Sequence, residues 1–452
     1  MRKLFDYLII SLMLVVSLSA CRAQTIEGSW EGKLNLGNRS LKLVFHISPE
    51  KIMMDSPDQG VKSIDCETIF LSDDSLNLTV KKLGVAYSGS LKGDSITGTF
   101  SQGPVKLPLN LSKSENKKTN RPQTPQPPFP YQTKEISINN VKGGSTLVGT
   151  LTIPEDTVSS TPIVVMVTGS GQQNRDEELF EHKPFAVIAD YLARNGIASF
   201  RYDDRGVGKS TGDILNSTTA DFAEDAATVM NWIRENERFG KIGILGHSEG
   251  GLIAYMLGAK SDRPDFIISI AGPSIQGKEI IAWQNKVALM KSGVSEPEAE
   301  KFRNAIAKVF EYRLKNPECN LIDDEKLEEF YPGYKSSALT INLAAQLKSV
   351  LTAKADNYWM MYFLGYDPAK DLKSLKIPAF IIYGEKDTQV PPSLNYDLAT
   401  QLAHQAKVVT YPGLNHMMQH AITGNVEEYK IIEETFSQEV LADITSFIQS
   451  IK

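Results

Sequence analysis

Ser248 sits in Gly246-His247-Ser248-Glu249-Gly250-Gly251, between the apolar run Ile242-Gly243-Ile244-Leu245 and the apolar stretch Leu252-Ile253-Ala254-Tyr255-Met256-Leu257. A strand that turns sharply into a helix lifts one serine out of a sheet edge and leaves the free amides of the helix N-terminus behind it. The flanking glycines let the chain turn where a Cβ would clash. A hydroxyl placed this way suits nucleophilic attack on a carbonyl carbon. The same five-residue pattern recurs in Gly208-Lys209-Ser210-Thr211-Gly212. That copy follows the charged loop Asp203-Asp204-Arg205 and opens no helix, so Ser210 is not expected to act. A phosphate loop is excluded as well, because it requires glycine where Asp203 stands and a carboxylate there repels phosphate.

A serine hydroxyl needs a base to take its proton and a third group to orient that base. The chain has six histidines. His46 lies far upstream, out of phase with its apolar neighbours, and reads as a solvated surface residue. His182 precedes Pro184 at a helix start, and His404 falls late in a helical stretch. His247 is placed to pack beside the turn rather than reach Ser248. His416, in the loop Tyr411-Pro412-Gly413-Leu414-Asn415 that follows the last β-rich run, is favoured as the base over His420. The orienting acid is sought in Gly384-Glu385-Lys386-Asp387, again directly after a strand. Asp387 is favoured, with Glu385 the substitute. The chain order Ser248, Asp387, His416 is the one such a strand-turn-helix architecture requires.

Two N–H groups must hold the oxyanion of the tetrahedral intermediate. Glu249 N–H, at the helix start, is one. The second is expected from the turn Thr168-Gly169-Ser170-Gly171, with Ser170 the first choice and Gly171 the fallback. No metal or organic cofactor is required by this chemistry.

These side chains need a rigid sheet. Pro162 to Thr168, Ile197 to Tyr202, Lys241 to Gly246, Phe266 to Ala271, Ile377 to Tyr383 and Lys407 to Tyr411 are β-rich runs. Amphipathic stretches at Phe185 to Asn195, Ala220 to Asn236, Pro392 to Ala403 and Glu427 to Ile451 separate or follow them. Regular alternation predicts an α/β fold with a mostly parallel sheet covered on both faces. The division expected is a catalytic domain over residues 133–274 and 372–452, interrupted at 275–371 by a helical cap over the carboxyl ends of the strands. Residues 24–112 alternate with period two between turn signals and predict a small antiparallel all-β domain. Residues 113–132 are polar and proline-rich, which favours an extended linker.

The 452-residue chain is 41% hydrophobic and 23% charged, enough for two or three domains. Its formal charge of −6, without a basic cluster, excludes a nucleic-acid footprint. Arg2 and Lys3 precede the apolar run Tyr7 to Leu18, too short to span a bilayer, and residues 1–23 read as a secretory signal. Leu18-Ser19-Ala20-Cys21 is similar to a bacterial lipobox, which predicts lipidation at Cys21 and a membrane-anchored lipoprotein of the cell envelope. The alternative is cleavage after Ala23 and a soluble exported protein. Cys66 and Cys319 are expected as buried free thiols.

Beyond about Thr133 the motifs resemble those of the α/β-hydrolase superfamily, and more narrowly exported bacterial esterases grouped with serine aminopeptidase-like hydrolases. The resemblance rests on Gly169-Ser170-Gly171-Gln172 with Asn174-Arg175-Asp176, on Arg201-Tyr202-Asp203-Asp204-Arg205-Gly206-Val207-Gly208-Lys209-Ser210, on Gly246 to Gly251, on Gly384 to Asp387, and on Asn415-His416. It implies an α/β-hydrolase fold and a structural role for the Asp203–Gly208 loop, which would brace the oxyanion turn through Arg205 and carboxylates. Thr168 stands where many relatives carry histidine. The expected activity is hydrolysis of a small-molecule carboxylic ester with a small or medium acyl chain. The same groups would serve a peptidase, an amidase or a thioesterase. From another class, the chain would be an exported binding protein acting through its N-terminal β domain. The run Tyr358-Trp359-Met360-Met361-Tyr362-Phe363 is a candidate acyl-pocket wall, although helix core is the commoner fate of such a run.

Overall fold

A computed structural model describes residues 26–451, apart from 38, 39, 49, 60, 73, 115–119, 320 and 353–357. The expected signal region and Cys21 lie outside the described residues, as does part of the expected linker. The chain divides into two compact units between residues 118 and 119. Among the described residues, no helix is long and apolar enough to cross a membrane.

The first unit consists of β1 (Gly28–Asn35), β2 (Ser40–Ile47), β3 (Ile52–Ser56), β4 (Val61–Leu71), β5 (Ser75–Val80), β6 (Val85–Lys92), β7 (Ser95–Gln102), β8 (Val105–Pro108) and β9 (Leu111–Lys113). Each strand pairs antiparallel with the next from β1 to β8, and β9 joins β7 to β1, which closes the sheet into a barrel. Closure removes the free edges that an open sheet of this length would expose. The period-two pattern sends Trp30, Phe45, Leu76, Leu78, Tyr87 and Ile96 inward, where they form one buried cluster. Its two largest polar-tipped members are satisfied there: Trp30 Nε1 donates to Ile26 O at 2.6 Å and Tyr87 Oη to Leu109 O at 3.1 Å.

The second unit contains β10 (Tyr131–Asn140), β11 (Ser145–Pro154), β12 (Ile163–Val167), α1 (Pro184–Arg194), β13 (Ala198–Tyr202), α2 (Thr219–Asn236), β14 (Ile242–His247), α3 (Glu249–Gly258) and β15 (Phe266–Ile270). Then follow α4 (Gly277–Lys291), α5 (Glu296–Lys315), α6 (Asp324–Phe330), α7 (Ala338–Thr352), α8 (Tyr358–Gly365), α9 (Ala369–Ser374), β16 (Ala379–Gly384), α10 (Pro392–Leu402), β17 (Ala406–Tyr411), α11 (Val426–Tyr429) and α12 (Gln438–Ser450). The sheet order is β10-β11-β13-β12-β14-β15-β16-β17. Strands β12 to β17 run parallel, and β11 pairs antiparallel with both its neighbours.

Both faces of this sheet are covered, so alternate residues of one strand are apolar in opposite directions. Val164 and Met166 of β12 pack with α1 and α12, while Ile163, Val165 and Val167 pack with α2 and α3. Helices α4 to α8 fall between β15 and β16 in sequence and hold a core of their own, including Phe302, Val309, Phe310, Leu327, Tyr331 and Leu347.

Three sequence expectations are adjusted. The hairpin β10–β11 is part of the sheet, and β10 begins at Tyr131, inside the segment expected as linker. The residues before it are anchored: the Arg121 guanidinium donates to the carbonyls of Phe180, Lys430 and Ile432, and the Gln123 side chain binds the backbone of Thr435 and Phe436. Those same bonds explain why Glu427 to Ile451 is not one helix. The carbonyls of Lys430 and Ile432 are taken by Arg121, so the chain leaves the helix after Tyr429 and restarts at Gln438. Cys66 and Cys319 are free and only half-buried. Burial pushes the Cys66 thiol up to about 11, which keeps it protonated and inert at neutral pH.

Candidate active site

Ser248 joins β14 to α3 with φ 53° and ψ −115°. A non-glycine residue in this region costs on the order of 1–3 kcal/mol, and persists only where its surroundings impose it. Here they do. Ser248 N–H donates to Ile270 O at 2.8 Å, and its carbonyl accepts from Gly251 N–H at 2.9 Å and Leu252 N–H at 3.2 Å. The turn is possible because α3 starts in contact with β12: a Cβ on Gly250 would lie 2.0 Å from Val167 O. Gly250→Ala is therefore expected to destabilise the fold by about 1–3 kcal/mol, because the overlap is with backbone and cannot be relieved by a rotamer change. Urea unfolding with an unchanged m-value would check this, and a wild-type midpoint would contradict it.

Asp387 and His416 are brought together from two neighbouring loops. Asp387 Oδ1 accepts the N–H groups of Gln389 and Val390, both at 2.8 Å, and Oδ2 faces His416 Nδ1 at 2.7 Å. Both residues are buried. An ionised carboxylate only accepts, so Nδ1 carries the proton and Nε2 is left with its lone pair free to act as a base. The alternatives are occupied elsewhere. Glu385 Oε2 accepts Gly413 N–H at 2.9 Å, and exposed His420 pairs with Glu434 at 2.9 Å. His182 is a core residue between Thr435 Oγ1 and Tyr429 O, and burial lowers its pKa to about 4. His247 contacts the base loop, with Nε2 2.9 Å from His416 O and the two rings 4.8 Å apart. Ser248 is thus the chain neighbour of a residue bonded to His416.

The turn Thr168 to Gly171 follows β12 and comes up against Ser248, for a Cβ on Gly169 would lie 3.2 Å from Ser248 Cβ. Gly169 N–H is committed to Glu177 Oε1 at 2.7 Å. Ser170 and Gly171 line an open groove of about 480 Å³ with Gln172, Ile214, Leu215, Phe222 and Trp359. Glu249 N–H belongs to the first turn of α3, where no helical acceptor exists.

The bracing of this turn follows the expectation for the carboxylates but not for Arg205. Asp204, not Arg205, holds it: its carboxylate accepts Thr168 Oγ1 at 2.7 Å and Gln173 N–H at 3.0 Å. Complete burial pushes the Asp204 carboxyl well above the usual range, against the hydrogen bonds that favour its ionised form. Asp203 binds Arg175 through both oxygens. Arg205 turns instead to α2, reaching Asp225 at 2.6 Å and Asp221 O at 2.9 Å. Ser210 is structural, donating to Asp203 O at 2.7 Å and accepting Val148 N–H at 2.9 Å. The His46 side chain is 33% exposed, in keeping with a surface position. It bridges Ser29 Oγ and Asp55 Oδ2 across three barrel strands, at 2.8 Å each, but Ser29 is a strand residue with no helix N-terminus behind it.

The aromatic run divides between two roles. Phe363 and Leu364 are core, whereas Trp359 lines the groove and its indole N–H donates to Glu249 Oε1 at 2.8 Å. Thr219 Oγ1 donates to the same oxygen at 2.6 Å. Burial raises the Glu249 carboxyl from 4.5 to about 6 despite these bonds. The folded state then holds the proton that the unfolded state has lost between these pH values, so this group makes stability fall as pH rises through the window, by about 2 kcal/mol. Glu249→Gln is expected to remove that slope, so its stability relative to wild type should improve by about 2 kcal/mol between pH 4 and pH 7 in urea titrations. Parallel pH curves would contradict it.

Sequence reasoning passed over Glu177 and the Glu249–Trp359 contact. Only Glu177 left a signal, as the acid directly after Asn174-Arg175-Asp176.

Residues 181–317 match the family model of serine aminopeptidase, S33. The chain is 25% identical to the esterase EstD of Thermotoga maritima over 293 residues, 64% of this chain and 61% of that protein, so the match spans less than two thirds of that relative. It is 24% identical to a bifunctional esterase/perhydrolase of Acinetobacter calcoaceticus over 50% of this chain and 78% of that protein. An esterase structure from Pyrococcus furiosus aligns over 75% of this chain and 99% of its own at 16% identity, with a TM-score of 0.43. By its strand order and its strained serine elbow the second unit has an α/β-hydrolase fold, and the serine aminopeptidase family match lies within it.

Proposed function

We propose that this protein is a serine hydrolase that cleaves carboxylic esters of small or medium acyl chains. The observation that carries the reading is the buried Asp387–His416 pair at 2.7 Å, in a loop bonded to the residue before the strained Ser248. Ser248 attacks the ester carbonyl while His416 Nε2 takes its proton, and Asp387 orients and stabilises the imidazolium. The amides of Glu249 and Ser170 receive the oxyanion, each worth about 3 kcal/mol of barrier. His416 then protonates the leaving alcohol, and in the second half activates a water that releases the acid and restores Ser248.

The groove beside Ser170 supports the substrate class, because its walls Ile214, Leu215, Phe222 and Trp359 are apolar and its volume of about 480 Å³ suits a short to medium chain. The names of the two esterase relatives agree with this reading. Leu215 is 75% exposed, so Leu215→Trp narrows the groove without disturbing the core. The variant is expected to lose about tenfold in kcat/KM for a nitrophenyl octanoate while keeping its rate on the acetate. Equal losses on both esters would remove the groove from the acyl-binding role.

A panel of nitrophenyl esters, acyl thioesters and aminoacyl anilides tests the activity itself. Turnover of the esters is expected to lead. Faster turnover of the anilides would reassign the same triad to amide hydrolysis.

A further inference from the structure

Glu177 takes no part in the steps above, yet one of its oxygens touches two of their supports. Oε1 accepts Gly169 N–H at 2.7 Å and lies 2.9 Å from His247 Nδ1. The far side of that imidazole, Nε2, lies 2.9 Å from the carbonyl oxygen of His416. A carbonyl oxygen has no proton to give, so Nε2 carries one and donates it. This holds whether the second proton sits on His247 Nδ1 or on Glu177. A continuous chain of bonds therefore runs from the oxyanion turn, through Glu177 and His247, to the backbone of the base.

We propose that Glu177 is a positioning residue: its Oε1 orients the Gly169–Ser170 turn and, by holding the His247 ring with its Nε2 proton aimed at His416 O, clamps the loop that carries His416. The inference rests on the reading of Ser248, Asp387 and His416 as the catalytic groups.

Two further observations support it. Glu177 has φ 51° and is 4% exposed, and Phe180 and Glu181 share its left-handed backbone with φ 51° and 67°. Strain of this kind in a non-glycine residue persists where the surrounding structure over-determines it, and it clusters at functional sites. The charged and titratable groups that face His247 are Glu177, Asp387 and the ring of His416. Burial is the largest single influence on His247 and opposes a charge there, but the Glu177 carboxylate, the His416 carbonyl and Asp387 together outweigh it and raise the imidazole pKa. A doubly protonated His247 satisfies both acceptors at once. The pair faces the oxyanion turn through Glu177 Oε1 and the base loop through His247 Nε2, which a pair serving stability alone would not need to do.

Glu177→Ala, Glu177→Gln and Ser248→Ala, assayed on a nitrophenyl ester together with melting curves, test the role. Glu177→Ala removes the acceptor and is expected to lower kcat about a hundredfold, the scale of one misplaced oxyanion donor, with KM within about threefold. Glu177→Gln keeps an oxygen but not the charge, and is expected to lose about tenfold. Nitrogen-15 spectra of the wild-type imidazoles should show His247 Nε2 protonated at neutral pH. A folded Glu177→Ala enzyme with kcat within threefold of wild type, or with the loss in KM alone, overturns the assignment. If Glu177→Ala does not fold, Glu177→Gln decides, and a kcat within threefold of wild type overturns it. Hydrolysis surviving in Ser248→Ala would instead sink the catalytic reading. An inactive Ser248→Ala beside fully active Glu177 variants would remove only the role of Glu177.

Discussion

Ser248→Ala is expected to abolish ester hydrolysis, with kcat reduced on the order of 10⁴- to 10⁶-fold and labelling by a fluorophosphonate probe lost. The hydroxyl is the only group on the elbow able to form the acyl-enzyme, and the remaining amides can stabilise charge but cannot supply a covalent route. The fold should be unaffected, since the Ser248 contacts that hold the turn are made by its own N–H and carbonyl, to Ile270, Gly251 and Leu252. A companion Ser248→Gly would be equally inactive but more stable by up to about 1 kcal/mol, because glycine accepts the φ of 53° without strain. Melting curves separate the two variants. If Ser248→Ala keeps more than a hundredth of the activity, or if the probe still labels it stoichiometrically, the nucleophile is elsewhere.

Asp387→Asn is the second large effect, expected to lower kcat about ten-thousand-fold with little change in KM. The asparagine carbonyl can keep the N–H bonds of Gln389 and Val390, so the loop retains its shape. Its NH₂ group then faces His416 Nδ1 where Oδ2 stood, 2.7 Å away. That nitrogen must now accept rather than donate, so the proton moves to Nε2, and the base has no lone pair for the Ser248 hydroxyl. Single-turnover acylation measured against pH distinguishes this from a folding defect. A variant within tenfold of wild type would show that another carboxylate orients His416, although Glu385 is bound to Gly413 N–H and is not placed to do so.

Much of this site was legible because each element carries its own local signal. The residues before Ser248 are apolar with a glycine-bounded turn, and Gly384 to Asp387 and Gly413 to His416 each follow a β-rich run, so the loops could be named without knowing how the strands pair. What escaped depends on contacts between segments remote in sequence. Glu177 meets His247 across 70 residues, Trp359 meets Glu249 across 110, and Arg121 reaches Ile432 across 311. No periodicity marks such pairs. The Arg205 expectation went astray for the same reason. A guanidinium and two carboxylates in one loop can pair in several ways, and the packing of α2 decided that Arg205 goes to Asp225 and leaves Asp204 for the turn.

The amino-acid sequence alone determined the alternation of strands and helices, the all-β unit before them, and the elbow at Ser248, because backbone conformation there follows from apolar period and from glycines at tight turns. Tertiary structure alone decided that the β unit closes into a barrel, that β10 and β11 extend the main sheet, and which carboxylate serves which loop. Those outcomes depend on where buried polar groups find partners, and a buried donor or acceptor takes the nearest one in space, not in sequence.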